Sequence, residues 1–503
     1  MVISSDNLEG IFSMEGDRGS EVEVLPFHML VIGDWSGEAD KKELSARRPV
    51  EIDRDNFDEV LARFTPSLQL DINGDSLSLS IFELDDFHPD HIFQKVEIFS
   101  RLRDLRRRLK DTASFDDAAR EVRDSFGEST DHVGASSERE GTVLDGSDDL
   151  LGQILSQPGG SAPRPQKASG ELAGFISELV RPHLIRVDED EQSRLVAAVD
   201  EATSGLMRKI LHDQKFQALE SAWRGLYFAV KRAETDSDLK IFILDISKEE
   251  LADDLKRAGD LSDSFFYKTL VSDTIETPGA DEWAVVVANY GFLPDVDDIA
   301  ALVRISKICS AASAPFVSHM RPDVLGVQNL EGHTDPVEWD LSATSDQGKL
   351  WSTLRSMPES AYLGMTIPRF LGRLPYGSDW DPLDNFEFEE FNNSPGHNSY
   401  LWINTSFAFA ALVAQSFGEH GWEMGNSFVQ DLEGLPLYSF EADGETVYQP
   451  CAELQLTHNG SDKLMEYGLM PIVSYKNADR VRLPRFQSIT DPVTALRGKW
   501  KRL

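Results

Sequence analysis

Three features of this 503-residue sequence predict an α/β fold of the mixed α+β kind, with mostly buried sheets flanked by helices and broken by an acidic disordered linker. From residue 240 onward, strand-like apolar runs alternate with helix-length amphipathic segments. Residues 210–233 carry a helical apolar stripe long enough to anchor a large core. Between 111 and 170 the composition shifts to Asp, Glu, Ser, Gly and Pro, with few large apolar residues after Phe126, which predicts a partly helical, then disordered, linker.

Residues 7–15, NLEGIFSME, alternate imperfectly and run into the turn signal Gly16-Asp17-Arg18-Gly19. A short alternating strand at 21–25 leads to a buried one at 28–32, stopped by Gly33-Asp34. Pro26 implies that the chain lies at an edge or bends there. Residues 55–64 read as a helix, 68–71 and 77–82 as strands, and Pro89 opens a further helix. That helix carries Arg101, Arg103, Arg106, Arg107 and Arg108, a charge run expected on a solvated face or against an acidic partner. Within the linker rises a short amphipathic island at 148–155. It is too short to hold a helix alone, so it is either accidental or a docking motif that folds on binding.

The globular pattern resumes with helices at 171–184 and 189–210. A strand at 240–246, a helix at 248–256 and a fully buried strand at 282–290 follow. Asp297 and Asp298 open a helix that runs to Cys309, their carboxylates suited to its first turn. Further strands are expected at 314–318, 361–365, 452–456 and 472–475, with an apolar helix near 403–418 and a basic end from Arg480 to Arg502.

In the central stripe, Leu219, Trp223, Leu226 and Val230 recur at spacings of four, three and four, so they line one helix face. Phe216 and Tyr227 widen it, Glu220 and Arg224 stay off it, and Asp213 is placed to cap the helix start. The residues alone define a core helix of a large domain.

The formal net charge of −38 and pI near 4.6 argue against nucleic-acid or anionic-membrane binding. Cys309 and Cys451 support neither a disulfide framework nor a zinc site, and each sits in an apolar setting that predicts burial. The acidic N-terminal stretch does not read as a signal peptide. Asn404, Thr405, Ser406, Gln415 and Ser416 interrupt the apolar segment 400–417, so it predicts a buried helix and no membrane insertion.

Phosphate loops, H-E-x-x-H, G-x-S-x-G and dinucleotide fingerprints are absent from the sequence. His212-Asp213 reads as helix capping and 188–191 as a solvated turn. In FEFEEF (386–391), Glu387 and Glu389 fall opposite the phenylalanines, which is simple amphipathic patterning. No catalytic, cofactor or metal residue is assigned, no cofactor is expected, and an enzyme is disfavoured.

Two resemblances follow one another along the chain. Residues about 7–110 are similar to the small subunit of the type VI secretion contractile sheath, through LPFHMLVIGDWSG, RRPVEIDRDNFDEVLARFTPSLQL and LSIFELDDFHPDHIFQKVEIFSRLRDLRRRL. Residues about 148–490 resemble the large sheath subunit, through ILHDQKFQALESAWRGLYFAV, FFYKTLVSDTIETPGADEWAVVVANYGF, RFLGRLPYG, FEFEEF, YLWINTSFAFAALVAQSFGEHGW and LMEYGLMPIVSYKNAD. The large-subunit likeness stops soon after residue 490, which reads as a C-terminally shortened form. The expected organisation is a small-subunit-like domain at 1–110, a linker with a docking helix at 111–170, and a large-subunit-like domain at 171–503.

The resemblance implies a bacterial cytoplasmic structural subunit that assembles with copies of itself around an inner tube protein and contracts. Its implied partners are those copies, the tube, baseplate components and an AAA+ recycling unfoldase. Shortening leaves open a sheath-like accessory role as terminator, cap or baseplate adaptor. By position, Leu8, Glu9, Gly10, Ile11, Phe12, Ser13, Met14 and Glu15 would form a strand donated between protomers, the alternative being a local hairpin with 21–25. Leu150, Leu151, Ile154 and Leu155 would be the apolar anchors of an unfoldase-docking helix, and Phe216, Leu219, Trp223, Leu226 and Tyr227 the signature of the core helix.

Overall fold

The computed structural model describes residues 25–500 apart from 73–74, 127–188, 329, 331–332, 334, 343, 392–395 and 443. The strand proposed for donation and the docking island lie outside the described residues, as does the helix expected at 171–184.

A seven-stranded sheet forms the centre. Its strands are β1 (Phe27–Gly33), β2 (Val50–Ile52), β5 (Leu239–Asp245), β6 (Trp283–Phe292), β7 (Phe316–Met320), β8 (Leu363–Ile367) and the short Met470–Pro471. They are ordered Met470–Pro471, β8, β7, β6, β1, β5, β2. All neighbours run parallel except β2, which pairs antiparallel to β5. A separate hairpin joins β3 (Ser67–Ile72) and β4 (Asp75–Ser80).

β1 is wholly buried in the interior of the sheet, not at an edge. Pro26 does not force an edge position because it stands one residue before the ladder. Phe27 donates the first backbone hydrogen bond, to Asp238 O at 2.6 Å, so no donor is lost.

Alternate residues along the strands feed two cores, as the period of two requires. Phe27, Met29 and Val31 face one core with Ile241, Ile243, Val285 and Val287. Leu30 and Ile32 face the other with Leu244, Val286, Ala288 and Met365. α5 (Glu189–Leu211), α6 (Gln214–Arg232) and the apolar α10 (Ser406–His420) cover the first. α7 (Lys248–Arg257), α8 (Val296–Ala312) and α9 (Asp346–Arg355) cover the second. Strands buried on both faces read as continuous apolar runs, which made 282–290 recognisable.

In the N-terminal part, α1 (Phe57–Phe64), α2 (Pro89–Lys95), α3 (Glu97–Lys110) and α4 (Phe115–Phe126) join the first core. α4 buries Phe115, Ala118, Ala119 and Val122, so packed structure continues past residue 111 into the stretch read as linker. The arginine run of α3 is paired within the chain: Arg101 with Glu97, Arg107 with Asp104, Arg108 with Glu121, and Arg106 with Asp200 on α5. The strand expected at 452–456 forms no ladder. Ala452 makes one isolated bridge to Phe370, and the alternation there reflects burial of Leu454 and Leu456.

Candidate functional site

α6 lies between the N-terminal part and the rest of the chain. Asp213 caps it, its Oδ1 accepting from the N–H groups of Lys215 and Phe216 at 2.8 and 3.2 Å. Phe216, Leu219, Trp223 and Leu226 are buried and Tyr227 is half-buried. The Trp223 indole donates to the carbonyl of Trp35 at 3.0 Å, and the two indole rings meet edge to face at 5.4 Å. Trp35 donates its own indole N–H to Leu244 O at 3.1 Å, and its backbone N–H to Asp245 Oδ1 at 2.9 Å. Arg47 forms a bidentate pair with Glu250 at 2.6 and 2.9 Å. Asp90 accepts from the backbone of Asp384 and Asn385 at 2.9 and 3.1 Å. The contacts of Trp35, Arg47 and Asp90 join the first hundred or so residues to the later chain.

Beside this seam sits a buried charge cluster that sequence reasoning missed. Glu220, placed off the apolar stripe, is fully buried. Its Oε1 accepts from Arg224 Nε at 2.7 Å and Arg373 Nε at 3.0 Å. Arg373 also grips Glu390 through two bonds of 2.7 and 3.0 Å and stacks over the Tyr376 ring. Tyr376 N donates to Glu390 at 2.9 Å, and Arg224 donates to the Tyr376 hydroxyl at 3.1 Å. Two carboxylates and two guanidiniums balance, which is how ionised groups survive burial. Burial alone would push Glu390 up, but Arg373, His212 and the Tyr376 N–H together outweigh it and hold the carboxyl down to about 2. Burial pushes Tyr376 up to about 12.

The signals for this cluster were in the sequence. Glu220 lies four residues after Phe216 and so shares its face, and Glu390 has the parity of Phe386 and Phe388 in an extended run. Glu387 and Glu389 are exposed, as the patterning predicts.

Catalytic chemistry finds little support in the cysteines. Cys309 and Cys451 are buried and free, and burial pushes both thiols up, the second to about 11, so neither is a ready thiolate. Glu83, Asp86 and His91 each place one potential ligand atom within 4.8 Å of the others, but Lys95 already pairs with Asp86 there. Among the described residues, no helix is long and apolar enough to cross a membrane.

Sequence comparisons agree with this two-part seam. Residues 193–490, more than half of the chain, match the family VipB, described as EvpB/VC_A0108, tail sheath N-terminal domain. Residues 12–128 match the family described as type VI secretion system, VipA, VC_A0107 or Hcp2. The chain therefore belongs to the type VI tail sheath family, with small- and large-subunit parts on one polypeptide. A relative of the large part is the type VI secretion system sheath protein TssC1 of Pseudomonas aeruginosa, 34% identical over 304 residues. That match spans 59% of this chain and 61% of the relative.

Proposed function

We propose that this chain is the structural protomer of a bacterial type VI contractile sheath, fusing in one molecule the roles of two subunits. It assembles with copies of itself around an inner tube in the cytoplasm and contracts to drive translocation. The observation that carries this reading is the pair of sheath-family matches whose regions meet in one sheet: β1 and β2 come from the first match, and the other five strands from the second. Matches to sheath subunits over both parts favour the protomer over the accessory role. The family type is structural, which fits a role built on packing and not on catalysis.

We assign residues 1–110 to the small-subunit role, 111–170 to a linker with a docking helix, and 171–503 to the large-subunit role. Leu8 to Glu15 serve as the donated strand, whose main-chain hydrogen bonds knit neighbouring protomers. Leu150, Leu151, Ile154 and Leu155 dock the recycling unfoldase, and baseplate components start the polymer. Sedimentation of the purified chain across a concentration series, with and without the tube protein, tests the assembly claim. Fast-sedimenting polymer is expected; a monomer under every condition contradicts it.

A further inference from the structure

A polar cavity beside α6 has no role in this packing. It holds about 540 Å³ and lies beyond the carboxyl ends of β6 and β7, where Asn289, Gly291, His319 and Arg321 line it. Arg369, just past the end of β8, and Glu453 complete its far wall. In open parallel sheets this edge is where ligands bind, and the volume is in the range of small-molecule sites. The strand order supports the comparison: from β5 the chain crosses over β1 to β6 and then continues in one direction, so the order reverses between β1 and β6. A second cavity of about 490 Å³ sits at that reversal and shares Asn289, Tyr290 and Gly291 with the first.

Three polar groups of the lining keep unused hydrogen-bonding capacity among the described residues. Arg321 touches Asp323 only through Nε at 3.3 Å, and its guanidinium makes no other ion pair among the described residues. Arg369 directs Nε and Nη2 to Glu453, which leaves Nη1 without a hydrogen-bond partner among the described residues. Glu453 offers no competing acceptor. Its Oε1 already meets Arg369 and His397 at 2.6 and 2.7 Å, and its Oε2 takes two bonds of 3.1 Å from Arg369. Most telling is His319, only 4% exposed, whose Nδ1 has no hydrogen-bond partner among the described residues. Burial, helped by the charge of Arg369, lowers its pKa to about 3, so the ring is neutral at physiological pH. A buried polar nitrogen left unpaired costs free energy unless something enters the cavity to meet it.

We propose that this cavity binds a small phosphate oxyanion, either inorganic phosphate or the phosphoryl group of a phosphate ester. Arg321 and Arg369 supply charge-assisted donors at the rim, Asn289 an amide, and the neutral His319 a further polar contact at the floor. The overall charge of −38 opposes the approach of any anion, so a dissociation constant of about 1 mM is expected.

Isothermal titration of the full chain in chloride buffer at fixed ionic strength tests this, with inorganic phosphate in one arm and glycerol 3-phosphate in the other. Saturable binding in either arm is expected, the tighter arm naming the source, together with a rise in melting temperature on addition of that anion. Arg321→Gln, at a side chain half exposed to solvent, should weaken binding about tenfold or more while leaving the unliganded melting temperature unchanged. Asn289→Asp, which adds a negative charge to the same wall, provides a second variant and should also weaken binding. Absence of saturable heat and of any melting shift in both arms, up to roughly 20 mM anion, overturns the proposal. Equal binding by wild type and both folded variants overturns it as well.

Discussion

The indole N–H of Trp223 meets the carbonyl of Trp35 at 3.0 Å, across 188 positions of sequence. Trp35 falls in the region matched by the small-subunit family and Trp223, on α6, in the region matched by the large-subunit family, so this bond marks the seam between them. Trp223→Ala should cost about 3–5 kcal/mol in denaturant unfolding through cavity formation. Trp223→Phe should cost less, about 1–3 kcal/mol, chiefly from leaving the Trp35 carbonyl unpaired. Equal stability of Trp223→Phe and wild type would show that the bond is immaterial.

Arg373 bridges Glu220 and Glu390 in the buried cluster. Arg373→Met should destabilise by about 3–5 kcal/mol, because two buried carboxylates lose a shared counter-charge. A change below about 1 kcal/mol would mean that water reaches the cluster, since exposed pairs contribute only that much.

The same cluster sets an acid limit. The Glu390 carboxyl is held down to about 2 in the folded chain, against an ordinary value of 4.5. A depressed pKa contributes stability that is present above the ordinary value and lost as pH falls through the folded one. Stability measured by urea unfolding should therefore decline between pH 4.5 and pH 2. Glu390→Gln should flatten that slope at the cost of lower stability at neutral pH. An unchanged slope in the folded variant would assign the decline to other carboxylates.

Gly225 packs α6 against α10. A Cβ there would collide with the Phe407 ring and lie 2.9 Å from Ile403 Cγ2. Gly225→Ala gains helix propensity of about 1 kcal/mol, yet overpacking of about 1–3 kcal/mol should outweigh it. Gly225→Val should be worse still, and thermal melting of the two variants checks the order.

If residues 150–155 dock a recycling unfoldase, Leu151→Asp and Ile154→Asp should abolish its capture in a pull-down while leaving the melting temperature of the chain unaltered. Undiminished capture by both variants would remove that role.

Legibility in the sequence followed the strength of the local pattern. α6, β5 and β6 were readable because a helical stripe, a short apolar strand and a doubly buried strand each leave an unmistakable period. What sequence could not give was pairing across distance. Nothing local to 27–33 says that this strand lies between β5 and β6, over 200 residues later. The charged cluster was missed for a related reason: the parity of Glu220 and Glu390 points inward, but nothing local says that Arg373 reaches within 3.0 Å of both. The cavity around His319 is likewise built from several strand ends, and no contiguous motif announces it.

Electron microscopy of the concentrated full-length chain, alone and with the tube protein, tests the central claim most directly. Long hollow striated tubules are predicted, with one chain per repeat and β1 seated between β5 and β6 of that chain. Monomers or small closed oligomers under both conditions would contradict it.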